Sequence, residues 1–156
     1  MQLFHIISIV VPLAIAFILP RYINTPEAGA LNNRAILYVA CSLFFISWYL
    51  PSPLIEGKDT SFVTHFIGGG VFCAFLFLYI YQALKIKWSL QVRLMVVFAL
   101  VSSLGVVNEL FEFVLVKLDI ASILLTDTSW DLVANTSGAF IAWVIIEVIY
   151  RDSWHR

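Results

Sequence analysis

Five apolar runs, each close to membrane-spanning length, dominate this chain of 156 residues. A helix needs about 20 predominantly apolar residues to cross a bilayer, where no water satisfies an exposed backbone. The runs predict an all-α bundle of five transmembrane helices in a single domain, residues 1–156. The predicted spans are residues 3–20, 35–50, 60–84, 92–116 and 128–150.

The composition indicates the same class of protein. Hydrophobic residues make up 62% of the chain and charged residues 12%, whereas a soluble domain is about half apolar and a quarter charged. The net charge of −1 gives no reason to expect a nucleic-acid partner. Cys41 and Cys73 lie inside apolar runs, so we expect buried small hydrophobes rather than a disulfide or a metal-binding pair.

The distribution of Lys and Arg predicts the orientation of the bundle. Cytoplasmic loops of membrane proteins carry an excess of these residues. With the N-terminus outside and the C-terminus inside, the outer loops receive only Lys58 and Lys117. The predicted inner side receives the other basic residues, which are Arg21, Arg34, Lys85, Lys87, Arg93, Arg151 and Arg156.

Three of the predicted spans carry polar groups to the same depth. An ionisable residue inside a span is costly and by default indicates a functional site. At 1.5 Å per residue, His65, Glu112 and Asp131 lie roughly 6–8 Å below the outer ends of their spans. Glu109 and Asn135 lie roughly 12 Å below those ends. The pattern therefore predicts a pocket that opens to the outer side of the membrane.

Helical spacing places these groups on shared faces. Glu109 and Glu112 are three residues apart, and Asp127, Asp131 and Asn135 follow one another at intervals of four, so each set shares one side of its helix. Each polar stripe continues into glycine, which lets neighbouring helices approach closely. The glycines concerned are Gly68, Gly69, Gly70, Gly105 and Gly138.

Some of the polar residues also have a purely structural interpretation. Residues 59–61 (DTS) are typical of a helix N-cap, and residues 128–131 (TSWD) have the spacing of a capping box. Near the predicted inner end, we expect Glu147 to pair with a basic residue such as Lys87 or Arg93.

A purely structural role is easier to assign to Glu112 and Asn135 than to Glu109. Glu112 could pair with Lys117, five residues later, and Asn135 could form a hydrogen bond between helices. Glu109 lies too deep to cap a helix and is the residue that most favours a functional site.

One His with several carboxylates is a ligand set for a divalent metal. Oxygen ligands suit Mg²⁺, Mn²⁺ or Ca²⁺, and an imidazole admits Zn²⁺. Without a metal, we expect at least one acid to be protonated, which would create an acid/base pair. Either arrangement could act on a phosphate, ester or glycosidic linkage.

The sequence offers candidate residues for three roles. The candidate catalytic residues are Glu109, Asp131 and His65, and the candidate substrate-binding residues are Asn135, Glu112 and Asp127. The candidate metal ligands are His65, Glu109, Glu112 and Asp131.

The motifs DTSFVTHFIGGG, NELFEF and DTSWDLVANTSGAF occur in this order over roughly residues 59–145. Together they resemble the motifs of small bacterial VanZ-like proteins and of the related YjdF-like inner-membrane proteins. The resemblance implies an integral protein of the bacterial inner membrane, in one case linked to glycopeptide-antibiotic resistance, without an agreed reaction. It covers Asp59, His65, Phe66, Glu109, Glu112, Asp127, Asp131, Asn135 and Gly138.

Two classes of function remain open at this point. In the first, a small membrane enzyme or lipid-binding protein handles a lipid or lipid-linked headgroup in its outward pocket, with or without a metal. In the second, a non-catalytic subunit or assembly factor uses the polar seam to lock three helices together or to dock a partner. Membrane lipids are the expected partners, and a second copy or another membrane protein could complete the site. A binding pocket should be open, whereas a structural seam should be closed.

Overall fold

A computed structural model of the chain describes residues 2–55, 57–120 and 125–150. These residues are helical apart from a two-stranded antiparallel hairpin and short connections. The helices are α1 (Gln2–Ile23), α2 (Pro26–Gly29), α3 (Leu31–Ser47), a π-helical segment (Thr64–Val71) that continues directly into α4 (Phe72–Ala83), α5 (Leu90–Lys117) and α6 (Leu125–Tyr150). The strands are β1 (Leu54–Ile55) and β2 (Lys58–Asp59).

Four helical stretches in the described part of the chain are long and apolar enough to cross a membrane. The predicted all-α class is thereby confirmed, with four helices that are apolar enough to span a membrane. Helix α3 has the same apolar character but only 17 residues, about 25 Å at 1.5 Å per residue. The four stretches are His5–Ile23, Thr64–Ala83, Leu90–Lys117 and Thr128–Tyr150.

The first helix continues through the proline at which the sequence predicts its end. Helix α1 includes Pro20 and ends at Ile23. Transmembrane helices tolerate such prolines because other groups satisfy the freed backbone. Asn24 then adopts a left-handed conformation with φ 51°, and its N–H donates to the carbonyl of Pro20 at 3.1 Å. This arrangement is a common helix C-terminus.

Helix α3 begins at Leu31 and ends at Ser47, so it lies a few residues earlier than the predicted span. The short helix α2 precedes it, capped by the Thr25 hydroxyl, which accepts from the Ala28 N–H at 3.1 Å. The same hydroxyl donates to the Ala83 carbonyl at 2.7 Å. The second of these contacts holds the α1–α3 connection against the end of α4, an arrangement that hydropathy alone does not predict.

The two capping interpretations have different outcomes. Asp59 lies in strand β2, whereas Ser61 directly precedes the next helix and its carbonyl accepts from the N–H of His65 at 3.1 Å. The Ser52 hydroxyl also accepts from the N–H of Val63 at 3.0 Å at the start of that helix. Helix α6 begins at Leu125, so residues 128–131 lie inside the helix. The capping-box interpretation of Asp131 is therefore wrong, and its side chain is buried.

Helix α4 forms the centre of the bundle. Leu78 and Tyr79 are fully buried, and the Tyr79 hydroxyl donates to the Ala28 carbonyl at 3.2 Å. Cys41 and Cys73 are buried and not disulfide-bonded, as expected of small hydrophobes. The outward faces of α1, α5 and α6 expose large apolar side chains, as expected of helices that face lipid.

The helices run alternately between two ends of the bundle. At one end, the Thr64 hydroxyl donates to the Ser47 carbonyl at 3.2 Å, so the end of α3 lies beside the start of the π-helical segment. At the other end, the Lys85 ammonium pairs with Glu27, and this hydrogen bond lowers the pKa of the exposed Glu27 carboxyl. Helix α3 therefore runs beside the π-helical segment and α4 between these two ends.

The second end also contains a shielded ion pair between α5 and α6. The Arg93 guanidinium donates from Nε to Glu147 Oε1 at 2.7 Å and from Nη2 to Oε2 at 2.6 Å. Its Nη1 donates to the Trp88 carbonyl at 2.7 Å. Only 8% of the Arg93 side chain and 12% of the Glu147 side chain are exposed. Arg93 is one of the two partners that the charge pattern suggests for Glu147.

Candidate intramembrane binding site

The π-helical segment places the backbones of two helices in direct contact. Such segments are rare and occur frequently at functional sites. A Cβ added to Gly70 would lie 2.8 Å from the Cα of Gly138, and a Cβ added to Gly138 would overlap the carbonyl oxygen of Phe66. The glycines therefore permit the close approach of the π-helical segment to α6, as their spacing predicts.

A third glycine determines where the amide of Asn135 lies. A Cβ on Gly69 would overlap Asn135 Oδ1, so only glycine leaves room for the amide there. Asn135 is 4% exposed, and its Oδ1 has no hydrogen-bond partner within the described residues. A buried acceptor without a partner is unfavourable, so this oxygen is available to a water molecule or a ligand.

His65, Glu112 and Asp131 come together from three different helical elements. The Nε2 atom of His65 lies 3.3 Å from Asp131 Oδ1, with 15% of the His65 side chain and 2% of the Asp131 side chain exposed. A carboxylate oxygen of Glu112 joins them, and the three ligand atoms all lie within 4.8 Å of one another. The common depth predicted from helical rise thus corresponds to a real cluster, which we call the His–acid cluster.

The third member of the His–acid cluster is held by its own helix. The amide Nδ2 of Asn108 donates to Glu112 Oε1 at 2.7 Å, one turn apart on α5. Lys117, the alternative partner for Glu112, places its ammonium 5.4 Å from the ring centroid of Phe113. The sequence shows Asn108 beside Glu109 and near Glu112 but predicts no role for it.

One predicted metal ligand of the described part of the chain, Glu109, is not brought into the His–acid cluster. Glu109 is half-buried on α5, and its Oε1 is buried without a hydrogen-bond partner in the described part of the chain. It is not part of the group of close ligand atoms. Asp127 lies in the first turn of α6, but its side chain falls outside the described residues, so its predicted role stays a prediction.

A cavity of about 520 Å³ opens beside the His–acid cluster. This volume lies within the range of roughly 300–1,000 Å³ that is typical of small-molecule sites. The polar groups of the lining gather at the His65 end. They are Thr64, His65, Asn108, Glu112 and Asn135, and Trp48, whose indole carries an N–H group, also lines the cavity.

The rest of the cavity wall is almost entirely apolar. Helix α1 contributes Ile7, Val11 and Ile15, which lie four residues apart on one face. Phe44 and Leu76 contribute from α3 and α4. The sequence does not single out this wall, because α1 is apolar on all sides and its cavity face has no distinguishing period.

Comparisons with protein-family models, with curated proteins and with solved structures give no significant match. The resemblance to VanZ-like and YjdF-like proteins therefore stays a prediction. The interpretation of the site depends on its own geometry.

The structure contains both a closed contact between helices and an open cavity. The π-helical segment and α6 meet without a gap at the glycines, while the space between α1 and α5 is left unfilled. At one end of this space, an imidazole, a carboxylate and an amide are available for polar groups. Along its length, the space offers only hydrocarbon and aromatic surface. The arrangement can therefore hold a molecule with one polar and one apolar end.

Proposed function

We propose that this chain is an integral membrane protein whose intramembrane cavity binds an amphipathic lipid or a lipid-linked headgroup. The polar end of the ligand contacts His65, Glu112 and Asn135. Its hydrocarbon part lies along the apolar wall formed by α1, α3, α4 and α5. Following the family resemblance, we place the protein in the bacterial inner membrane.

The division of the cavity into a polar end and an apolar body carries this proposal. Helices that only pack together would leave no cavity of about 520 Å³ between them. Ionisable residues are rare inside a membrane and usually mark a functional site. Here two of them, His65 and Glu112, line the cavity itself. The apolar body matches the tail of a molecule that already resides in the bilayer.

We further propose five transmembrane spans, with α3 as the short one, and an orientation with the N-terminus outside. The hydrogen bonds of Thr64 and Thr25 lie at opposite ends of the bundle, which supports α3 as a crossing helix. A short span is accommodated by local thinning of the bilayer at modest cost. The excess of Lys and Arg at the Lys85 end supports its placement in the cytoplasm.

Cysteine labelling tests this topology. Gly29 in α2 precedes α3 and Leu54 in the hairpin follows it; both are exposed, and the native cysteines are buried. We expect a membrane-impermeant maleimide to label Leu54→Cys in intact cells, and Gly29→Cys only after permeabilisation. Labelling of both positions from one side would contradict a crossing α3, and the reverse pattern would contradict the orientation.

Filling the apolar part of the cavity should strongly reduce the amount of lipid that the protein retains. Val11 lines the cavity, whereas its neighbour Val10 is 54% exposed on the outward side of α1. In Val11→Trp, the indole should fill the space for the hydrocarbon chain. We expect at least a tenfold loss of lipid affinity, equal to about 1.4 kcal/mol. Native mass spectrometry after extraction into mild detergent measures the retained lipid, with a phosphatidylglycerol and phosphatidylethanolamine mixture added back.

Val10→Trp is the matched control, since it adds the same indole to the outward face of the same helix. It should retain lipid as the wild type does. The proposal is wrong if wild-type protein retains no lipid after add-back, or if Val11→Trp and Val10→Trp retain equal amounts.

The alternative function, a non-catalytic subunit or assembly factor, has one observation in its favour. The glycine contact between the π-helical segment and α6 is closed, as expected of a seam that locks helices together. In this alternative the cavity has no natural ligand. The lipid experiment separates the two functions, because a purely structural seam predicts no difference between the two tryptophan variants.

A further inference from the structure

We infer that His65, Glu112 and Asp131 form a binding site for a single divalent transition-metal ion at the polar end of the cavity. This inference goes beyond the proposed lipid binding and does not depend on it. In the part of the chain that the structure describes, these residues form the one group of three metal-ligating side chains with neighbouring ligand atoms.

The spacing of the ligand atoms suits one ion. In a tetrahedral site with bonds of about 2.1 Å, two ligand atoms lie roughly 3.4 Å apart. The separation of 3.3 Å between His65 Nε2 and Asp131 Oδ1 already has this value. The Glu112 carboxylate lies within 4.8 Å of both, so it needs to approach them by no more than about 1.4 Å to reach this spacing. Three protein ligands leave a fourth position open, as in catalytic zinc sites.

A second observation points to a ligand at the same place. Asn135 is one turn further along α6 than Asp131, and it lines the cavity with His65 and Glu112. Its side chain is 4% exposed, and its Oδ1 has no hydrogen-bond partner within the described residues. An amide oxygen in this position can accept a hydrogen bond from a metal-bound water.

The charge and surroundings of the His–acid cluster also favour a cation. Two carboxylates close together inside a membrane repel each other and are poorly solvated, and a divalent ion compensates both charges. The hydrogen bond from Asn108 to Glu112 orients one ligand, as outer-shell partners commonly do in metal sites. The imidazole favours Zn²⁺ over Mg²⁺ or Ca²⁺, which take oxygen ligands.

Zinc binding to purified, delipidated protein tests the inference without any lipid. The protein is stripped with a chelator in mild detergent, freed of any affinity tag, and titrated with Zn²⁺ by calorimetry. Elemental mass spectrometry then gives the metal content. We expect one Zn²⁺ per chain in the wild type. Glu112→Gln and Asp131→Asn should each weaken binding at least tenfold.

Glu109→Gln is the matched control, because it removes the same charge from the same helix outside the His–acid cluster. It should bind Zn²⁺ as the wild type does. Co²⁺ provides an independent readout, since its visible absorption bands report tetrahedral coordination by folded protein. These bands should be present in the wild type and Glu109→Gln, and lost in Asp131→Asn.

Any of three results would overturn the proposed metal site. The first is that the wild type binds no Zn²⁺. The second is that Glu112→Gln and Asp131→Asn bind Zn²⁺ as tightly as the wild type, and the third is that Glu109→Gln loses as much Zn²⁺ affinity as those two variants. Val11→Trp separates this inference from lipid binding, because it should lose lipid and keep Zn²⁺. Loss of Zn²⁺ in Val11→Trp, with a wild-type melting temperature, would also contradict the assignment.

Discussion

Glu147→Gln should lower the free energy of unfolding by about 3–5 kcal/mol, the usual effect of removing one partner of a buried ion pair. Arg93 directs two donors to Glu147 and a third to the Trp88 carbonyl. Without the carboxylate, the shielded guanidinium loses its counter-charge and one of the two charge-assisted bonds. Reversible unfolding in a mixed detergent, followed by circular dichroism, measures the change.

Two further variants show that the effect comes from an uncompensated charge. Arg93→Met combined with Glu147→Leu removes both charges and should recover most of the loss, because replacing a whole buried pair by apolar side chains is often neutral. Glu27→Gln removes the acid of the surface pair with Lys85, in which 28% of the Glu27 side chain and 71% of the Lys85 side chain are exposed, and should have little measurable effect. Equal losses in Glu27→Gln and Glu147→Gln would contradict the argument.

Gly138→Ala should destabilise the protein by about 1–3 kcal/mol or more, the range for overpacking a tight contact. The added methyl group would overlap the carbonyl oxygen of Phe66 and lie 3.2 Å from its Cα. These are backbone atoms, so no flexible side chain can yield. The two helices must separate, and His65 on the π-helical segment must move with them. Thermal unfolding and Zn²⁺ affinity should therefore both fall.

Gly105→Ala is the matched control for this prediction. A Cβ there would lie 3.4 Å from Leu132 and 3.6 Å from Asn135, which are ordinary contacts. Alanine is also the better helix former by about 1 kcal/mol. We expect unchanged or slightly raised stability. If Gly105→Ala and Gly138→Ala melt at the same temperature, the close backbone contact does not limit stability.

The membrane class and the depth of the polar groups are predictable because both depend on distance along the chain. Apolar length sets where a span can form, and the rise of 1.5 Å per residue sets depth within it. These two rules alone place His65, Glu112 and Asp131 at one level of the bundle, where the structure brings them together. Small residues likewise indicate where backbones meet, as Gly70 and Gly138 do.

The rotation of each helix about its axis is not predictable in the same way. Glu109 and Glu112 share one side of α5, yet only Glu112 joins the His–acid cluster. Helix α1 is apolar on every side, so its sequence does not show that Ile7, Val11 and Ile15 line a cavity. Rotation is set by which neighbours pack against the helix, and hydropathy does not report those neighbours.

The sequence by itself determined the all-α class with helices apolar enough to span a membrane, the common level of the polar groups along their helices and the glycines that permit close contact. These are local properties of composition and spacing. Only the tertiary structure decided that Asp131 lies beside His65 at 3.3 Å instead of capping a helix, and that Arg93 binds Glu147. It alone placed an apolar cavity beside the His–acid cluster. Each of these depends on residues distant in sequence, whose contacts arise only when the helices pack.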